Sequence, residues 1–79
     1  MTQVTILMGS ASDKPIAQKA EKILDKMNIT FETYVASAHR TPARVVEVIE
    51  NSSADVFIAL AGLSAALPGV VAAHTLKPV

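Results

Sequence analysis

Cysteine is absent from this chain, which excludes a disulfide framework, a zinc ribbon and a thiol nucleophile. Tryptophan is absent too, and two phenylalanines and one tyrosine make up an aromatic share of only 4%. The stacking platforms that single-stranded nucleic acid requires are therefore lacking. Charge of one sign is also lacking: seven Lys and Arg residues balance seven Asp and Glu residues. That balance leaves no basic footprint for nucleic acid. No apolar run approaches the roughly 20 residues needed to cross a bilayer. The opening string MTQVTILMGS has neither a basic start nor a long apolar stretch, so no secretory signal is expected. Glycine occurs only three times, and neither GxGxxG nor GxxxxGK[ST] is present, which sets aside two phosphate-binding fingerprints. The expectation is a soluble, cytoplasmic protein with no nucleic-acid and no membrane partner.

What is present is apolar for so small a protein: 51% hydrophobic residues and a mean hydropathy of +0.39 over 79 residues. A chain of this length allows one domain, 1–79, and buries a smaller fraction of its surface than a typical domain does. Some of that apolar surface is expected to be covered by a second copy, making a homo-oligomer. No internal repeat, low-complexity tract or linker interrupts the chain.

The pattern alternates between two periods. Val4 to Met8 is a β-branched apolar run closed by Gly9-Ser10, as expected of a buried parallel strand. Residues 14–28 carry Ile16, Ala20, Ile23, Leu24 and Met27 at helical spacing, with Asp13 placed to cap and Pro15 in the first turn. A more polar strand over 29–36 follows, nearer a sheet edge. A helix over 42–50 comes next, with Thr41 as its cap and Val45, Val46 and Ile49 on its buried face. Residues 56–61 are apolar without interruption, the pattern of an interior parallel strand. The last helix is expected over 65–76, with Leu67, Val70 and Val71 packing inward. Three strands alternating with three helices define an α/β class with right-handed crossovers and a parallel sheet in the order 2-1-3. In that order the third strand is an edge, although its sequence is that of an interior strand.

Ligands of open parallel sheets sit beyond the carboxyl ends of the strands, near the point where strand order reverses. Three segments are placed there: Gly9 to Asp13, Ser37 to Pro42, and Ala61 to Gly69. In the first, Gly9 permits close backbone approach, and Ser10, Ser12 and Asp13 either meet a phosphate or only turn the chain and cap the helix. In the second, His39 brings an imidazole, the side-chain type suited to acid–base work, and Arg40 is a permanent cation able to grip phosphate with two bonds. In the third, Gly62 and Gly69 bracket small residues against which a flat ligand could lie. Ser64 reads as a cap for the last helix. His74 reads as a cation favoured at that helix's C-terminus.

Taken together, MGSASD, VASAHRTP and AGLSAALPGVVAAHT resemble the successive signature segments of the PurE family, over Val4 to Val79. Each segment alone is unspecific, but the ordered set is highly specific. The resemblance implies a flavodoxin-like three-layer sandwich that stops before its fourth strand, since complete family members are substantially longer. It implies a small-molecule ribonucleotide substrate and no metal or organic cofactor. His39 matches the catalytic histidine, and Ser10 and Asp13 resemble the substrate-binding pair. Ser37 and Arg40 resemble groups that hold the phosphate end, while Ala38, Ala61, Gly62 and Leu67 correspond to pocket-lining positions. The implied reaction is a mutase reaction, in which an N-carboxylate leaves as carbon dioxide and is recaptured by a ring carbon. One histidine can serve it as acid and then base when its pKa lies near the operating pH.

Departures from the family pattern keep alternatives open. Mutase-type members usually carry AAHLPG where this chain has Ser64-Ala65-Ala66-Leu67-Pro68-Gly69, so Ala66 stands in place of a second pocket histidine. Ser64 resembles the GRSN segment of the direct carboxylases, whereas those enzymes tend to carry lysine at the position of Arg40. A direct carboxylase, and a catalytically silent module that associates with itself, stand beside the mutase.

Overall fold

The structure is a computed structural model and describes residues 2–63 and 65–79. Its elements run β1 (Val4–Met8), α1 (Lys14–Lys26), β2 (Phe31–Val35), α2 (Pro42–Asn51), β3 (Val56–Leu60) and α3 (Ala66–Ala73), with a 3₁₀ turn at Ala11–Asp13 leading into α1. The three strands form one parallel sheet in the order β2-β1-β3. Register places Leu7 beside Tyr34 on one side and Ala59 on the other. All three carboxyl ends therefore reach the same rim.

Both faces of the sheet are covered, which makes three layers. Every residue of β1 is buried, and strand alternation sends successive side chains to opposite faces. Val4, Ile6 and Met8 pack with Ala17, Ala20 and Leu24 of α1. Leu7, on the other face, packs with Val45, Val48 and Ile49 of α2 and Leu67 and Val71 of α3. Full burial of a side chain such as Ile6 or Leu7 is worth about 1.5–3 kcal/mol. Thr5 is also wholly buried on this second face; its Oγ1 lies 2.7 Å from Ser52 Oγ, so the cost of an unpaired buried hydroxyl does not arise.

Several boundaries and faces differ from the sequence expectation, each for a local reason. Helix α1 ends at Lys26 rather than Asn28 because Asn28 turns left-handed, at φ 58°. Its amide donates to Asp25 O at 3.1 Å, and that of Ile29 to Leu24 O at 2.9 Å. That pair of bonds is a Schellman stop, and Leu24 and Ile29 both pack against the core cluster under α1. Ile29 is thereby committed to the stop, and β2 starts at Phe31. The buried side of α1 is built on Ala17, which is fully buried, whereas Ile16, Ile23 and Met27 are 52%, 59% and 63% exposed. In α2, Val48 rather than Val46 completes the buried face. Helix α3 starts at Ala66 and ends at Ala73, where His74 closes it with Nδ1 2.8 Å from Val70 O.

Strand β3 is an edge among the described strands, and Val56 is exposed beside it. The Phe57 amide on that edge donates to Pro78 O at 2.9 Å, so the tail runs alongside the start of the strand. Among the described residues no helix is long and apolar enough to cross a membrane.

Candidate functional site

A cleft of about 200 Å³ opens at the rim where the strands end, lined by residues of all three expected segments. Ser10 and Asp13 come from the turn after β1, Ser37, Ala38 and His39 from the loop after β2, and Ala61, Gly62 and Leu67 from the passage between β3 and α3. Arg40 does not line this cleft. It lines an adjoining hollow of about 310 Å³ with Gly9, Ser37, Thr41 and Arg44, and Gly9 and Ser37 belong to both. Sequence reasoning did not single out Leu63, Ala65 or Arg44 as lining residues; the one hint for Arg44 was a second cation in the first turn of the helix that follows Arg40.

The three turns are tied to one another through the backbone. The Gly9 amide donates to Leu60 O at 3.0 Å, joining the first turn to the end of β3. Arg40 Nη2 donates to Gly9 O at 3.0 Å, joining the second turn to the first. A Cβ added at Gly9 would lie 3.8 Å from Leu60 O, an ordinary contact, so the glycine is not forced by crowding against this rim.

Inside the first turn, Ser10 Oγ accepts from the Ser12 amide at 3.2 Å and starts the 3₁₀ turn. Asp13 stands at the N-cap of α1 but makes no capping bond with its side chain, which differs from the sequence expectation. Its half-buried carboxylate borders the cleft instead. In the second turn, Ser37 Oγ accepts from the amides of His39 and Arg40 at 3.2 and 3.1 Å. A hydroxyl has one donor besides its lone pairs, so the O–H of Ser37 is what it can present to a ligand. His39 itself is exposed at the cleft wall.

The third turn holds backbone in an unusual conformation. Ala65, just before α3, is left-handed at φ 45°, a region that costs an L-residue roughly 1–2 kcal/mol. Its amide donates to Gly62 O at 3.1 Å, which closes the turn. Ala66 lines the cleft where the histidine of mutase-type sequences was expected. Ser64, expected to cap α3, lies outside the described residues.

The resolved shifts in acidity lie on β2. Tyr34 Oη donates to Glu32 Oε2 at 2.5 Å. That bond, helped by one from Thr2, holds the Glu32 carboxyl below the usual carboxylate range and pushes the Tyr34 phenol up. Both groups lie on β2. Among the described residues, no three His, Asp or Glu side chains stand close enough to share a metal ion.

A parallel α/β sheet with a cleft across its switch point is the arrangement of the doubly wound folds. A family model for AIR carboxylase matches residues 3–79, and the chain belongs to that family. It is 60% identical over 76 residues to the N5-carboxyaminoimidazole ribonucleotide mutase of Methanocaldococcus jannaschii, covering 96% of this chain and 48% of that protein. The enzyme of the same name from Haemophilus influenzae is 46% identical over 80 residues, covering 98% of this chain and 49% of its own length. The crystal structure of Treponema denticola PurE superposes with a TM-score of 0.83 at 35% identity, covering 90% of this chain and 48% of that one. The chain thus spans about half the length of each of these three proteins.

Proposed function

We propose that this chain carries the ribonucleotide-binding rim and the acid–base histidine of an N5-carboxyaminoimidazole ribonucleotide mutase, acting in the cytoplasm during purine biosynthesis. The observation that carries this reading is the convergence of Ser10, Asp13, His39 and Gly62 on one cleft, in a chain 60% identical to a protein of that name. Asp13 and Ser10 would bind the substrate from the turn after β1. Ser37 and Arg40 would hold its phosphate, Arg40 from the adjoining hollow.

In the reaction the N–carboxyl bond breaks and releases carbon dioxide while His39 protonates the departing exocyclic nitrogen. The ring carbon then attacks carbon dioxide to form the new carbon–carboxyl bond, and His39 takes the proton displaced from that carbon. Protons balance over the cycle, and no other reactant is consumed. General acid–base catalysis of this kind contributes roughly 10²–10⁴-fold. A second copy of the chain is the proposed partner, supported by the exposed apolar stripe on α1 and the edge at β3.

The test is conversion of a substrate labelled with ¹³C at its carboxyl group, followed by NMR. Purified protein should move the label from nitrogen to ring carbon, and His39→Asn should slow that transfer at least about 100-fold. Equal rates in the two proteins would remove His39 from the chemistry. A rate that instead rises with added bicarbonate, starting from the uncarboxylated nucleotide, would mark the direct carboxylase that Ala66 makes the second reading.

A further inference from the structure

Thr41 occupies the N-cap of α2, where a threonine hydroxyl ordinarily accepts from an amide of the first helical turn. It makes no such bond. Its Oγ1 turns backward instead, accepting from the Ser37 amide at 2.9 Å and donating to Ser37 O at 3.3 Å. The Thr41 amide also donates to Ser37 O, at 2.9 Å. One residue thus closes Ser37 to Thr41 into a loop by three bonds, and His39 lies at its centre. Ser37 answers from the other end, its Oγ accepting from the His39 and Arg40 amides. The start of α2 is held without the Thr41 side chain, because Thr41 O accepts from the amides of Arg44 and Val45 at 3.1 and 3.3 Å.

From this we infer that Thr41 is a positioning residue for His39: its hydroxyl fixes the loop on which the histidine stands, rather than the helix that follows. The inference rests on the acid–base reading of His39. The loop is exposed at His39, Arg40 and Thr41, so without its internal bonds water would compete for every one of its backbone groups. A wandering histidine would lower the fraction of bound complexes with the proton donor in reach.

Three variants of the full chain separate loop closure from helix capping. Thr41→Val removes the hydroxyl at nearly constant shape, Thr41→Ser keeps it, and Thr41→Gly leaves a tolerated helix cap with no side chain to accept from the Ser37 amide or donate to Ser37 O. Hydrogen exchange of the Ser37 amide should quicken about tenfold in the Val variant, and kcat should fall about tenfold or more. Serine should restore both values. Glycine should restore neither kcat nor the closed loop. Wild-type Ser37 exchange in the Val variant, or full recovery with Gly, would overturn the inference and return Thr41 to the role of a cap. The exchange measurement needs no turnover, so it judges the loop separately from the chemistry: unchanged conversion in His39→Asn would sink the acid–base reading and leave the loop result standing.

Discussion

Asp13, Thr41 and Ala65 begin the three helices around one rim, and none of them caps its helix with a side chain. Local sequence rules assign Asp13 and Thr41 to capping because Asp and Thr favour that position, yet the carboxylate borders a cleft and the hydroxyl turns back onto its own loop. Such departures from local preference gather where a fold is shaped for something besides stability. Ala65 carries the same lesson in its backbone, at φ 45°. Glycine adopts that conformation without the Cβ penalty, although it loses more freedom on folding. Ala65→Gly should therefore stabilise the fold by a net of roughly 0.5–1 kcal/mol, raising the midpoint of thermal unfolding by about 4 °C. A lower midpoint in a calorimetric scan would mean that the left-handed turn stores no strain.

The strands and their order were legible because they rest on composition and chirality: the apolar run of β1, the more polar β2 and right-handed crossovers leave little choice but 2-1-3. Helix α1 was legible as a helix but not in its packing. Helical spacing marks Ile16, Ile23 and Met27 as one apolar stripe without saying which neighbour meets it, and in the fold the small Ala17 makes the close contact with the sheet. The stop at Asn28 needed a left-handed residue, for which asparagine was the only hint. The bare stripe on α1 gives the element its own prediction. Sedimentation velocity should show self-association that strengthens with concentration, and Ile23→Glu should weaken it several-fold while the helical signal stays unchanged. A monomer at every concentration, in wild type and variant alike, would show that the stripe tolerates water.

At the scale of the whole molecule, the site was legible through topology: a parallel sheet in the order 2-1-3 brings its carboxyl ends together whatever the loops contain. Loop detail was less legible, since the placement of Arg40 in an adjoining hollow depends on one bond from its guanidinium to Gly9 O. That bond and the one between Gly9 and Leu60 make the rim a connected unit, which is the basis for treating three distant turns as a single binding surface. Titrating 5-aminoimidazole ribonucleotide into ¹⁵N-labelled protein and following the amide signals tests this most directly. Signals of Ser10, His39 and Gly62 should move together along one saturation curve. Movement confined to one turn, or following different curves at different turns, would contradict a shared site.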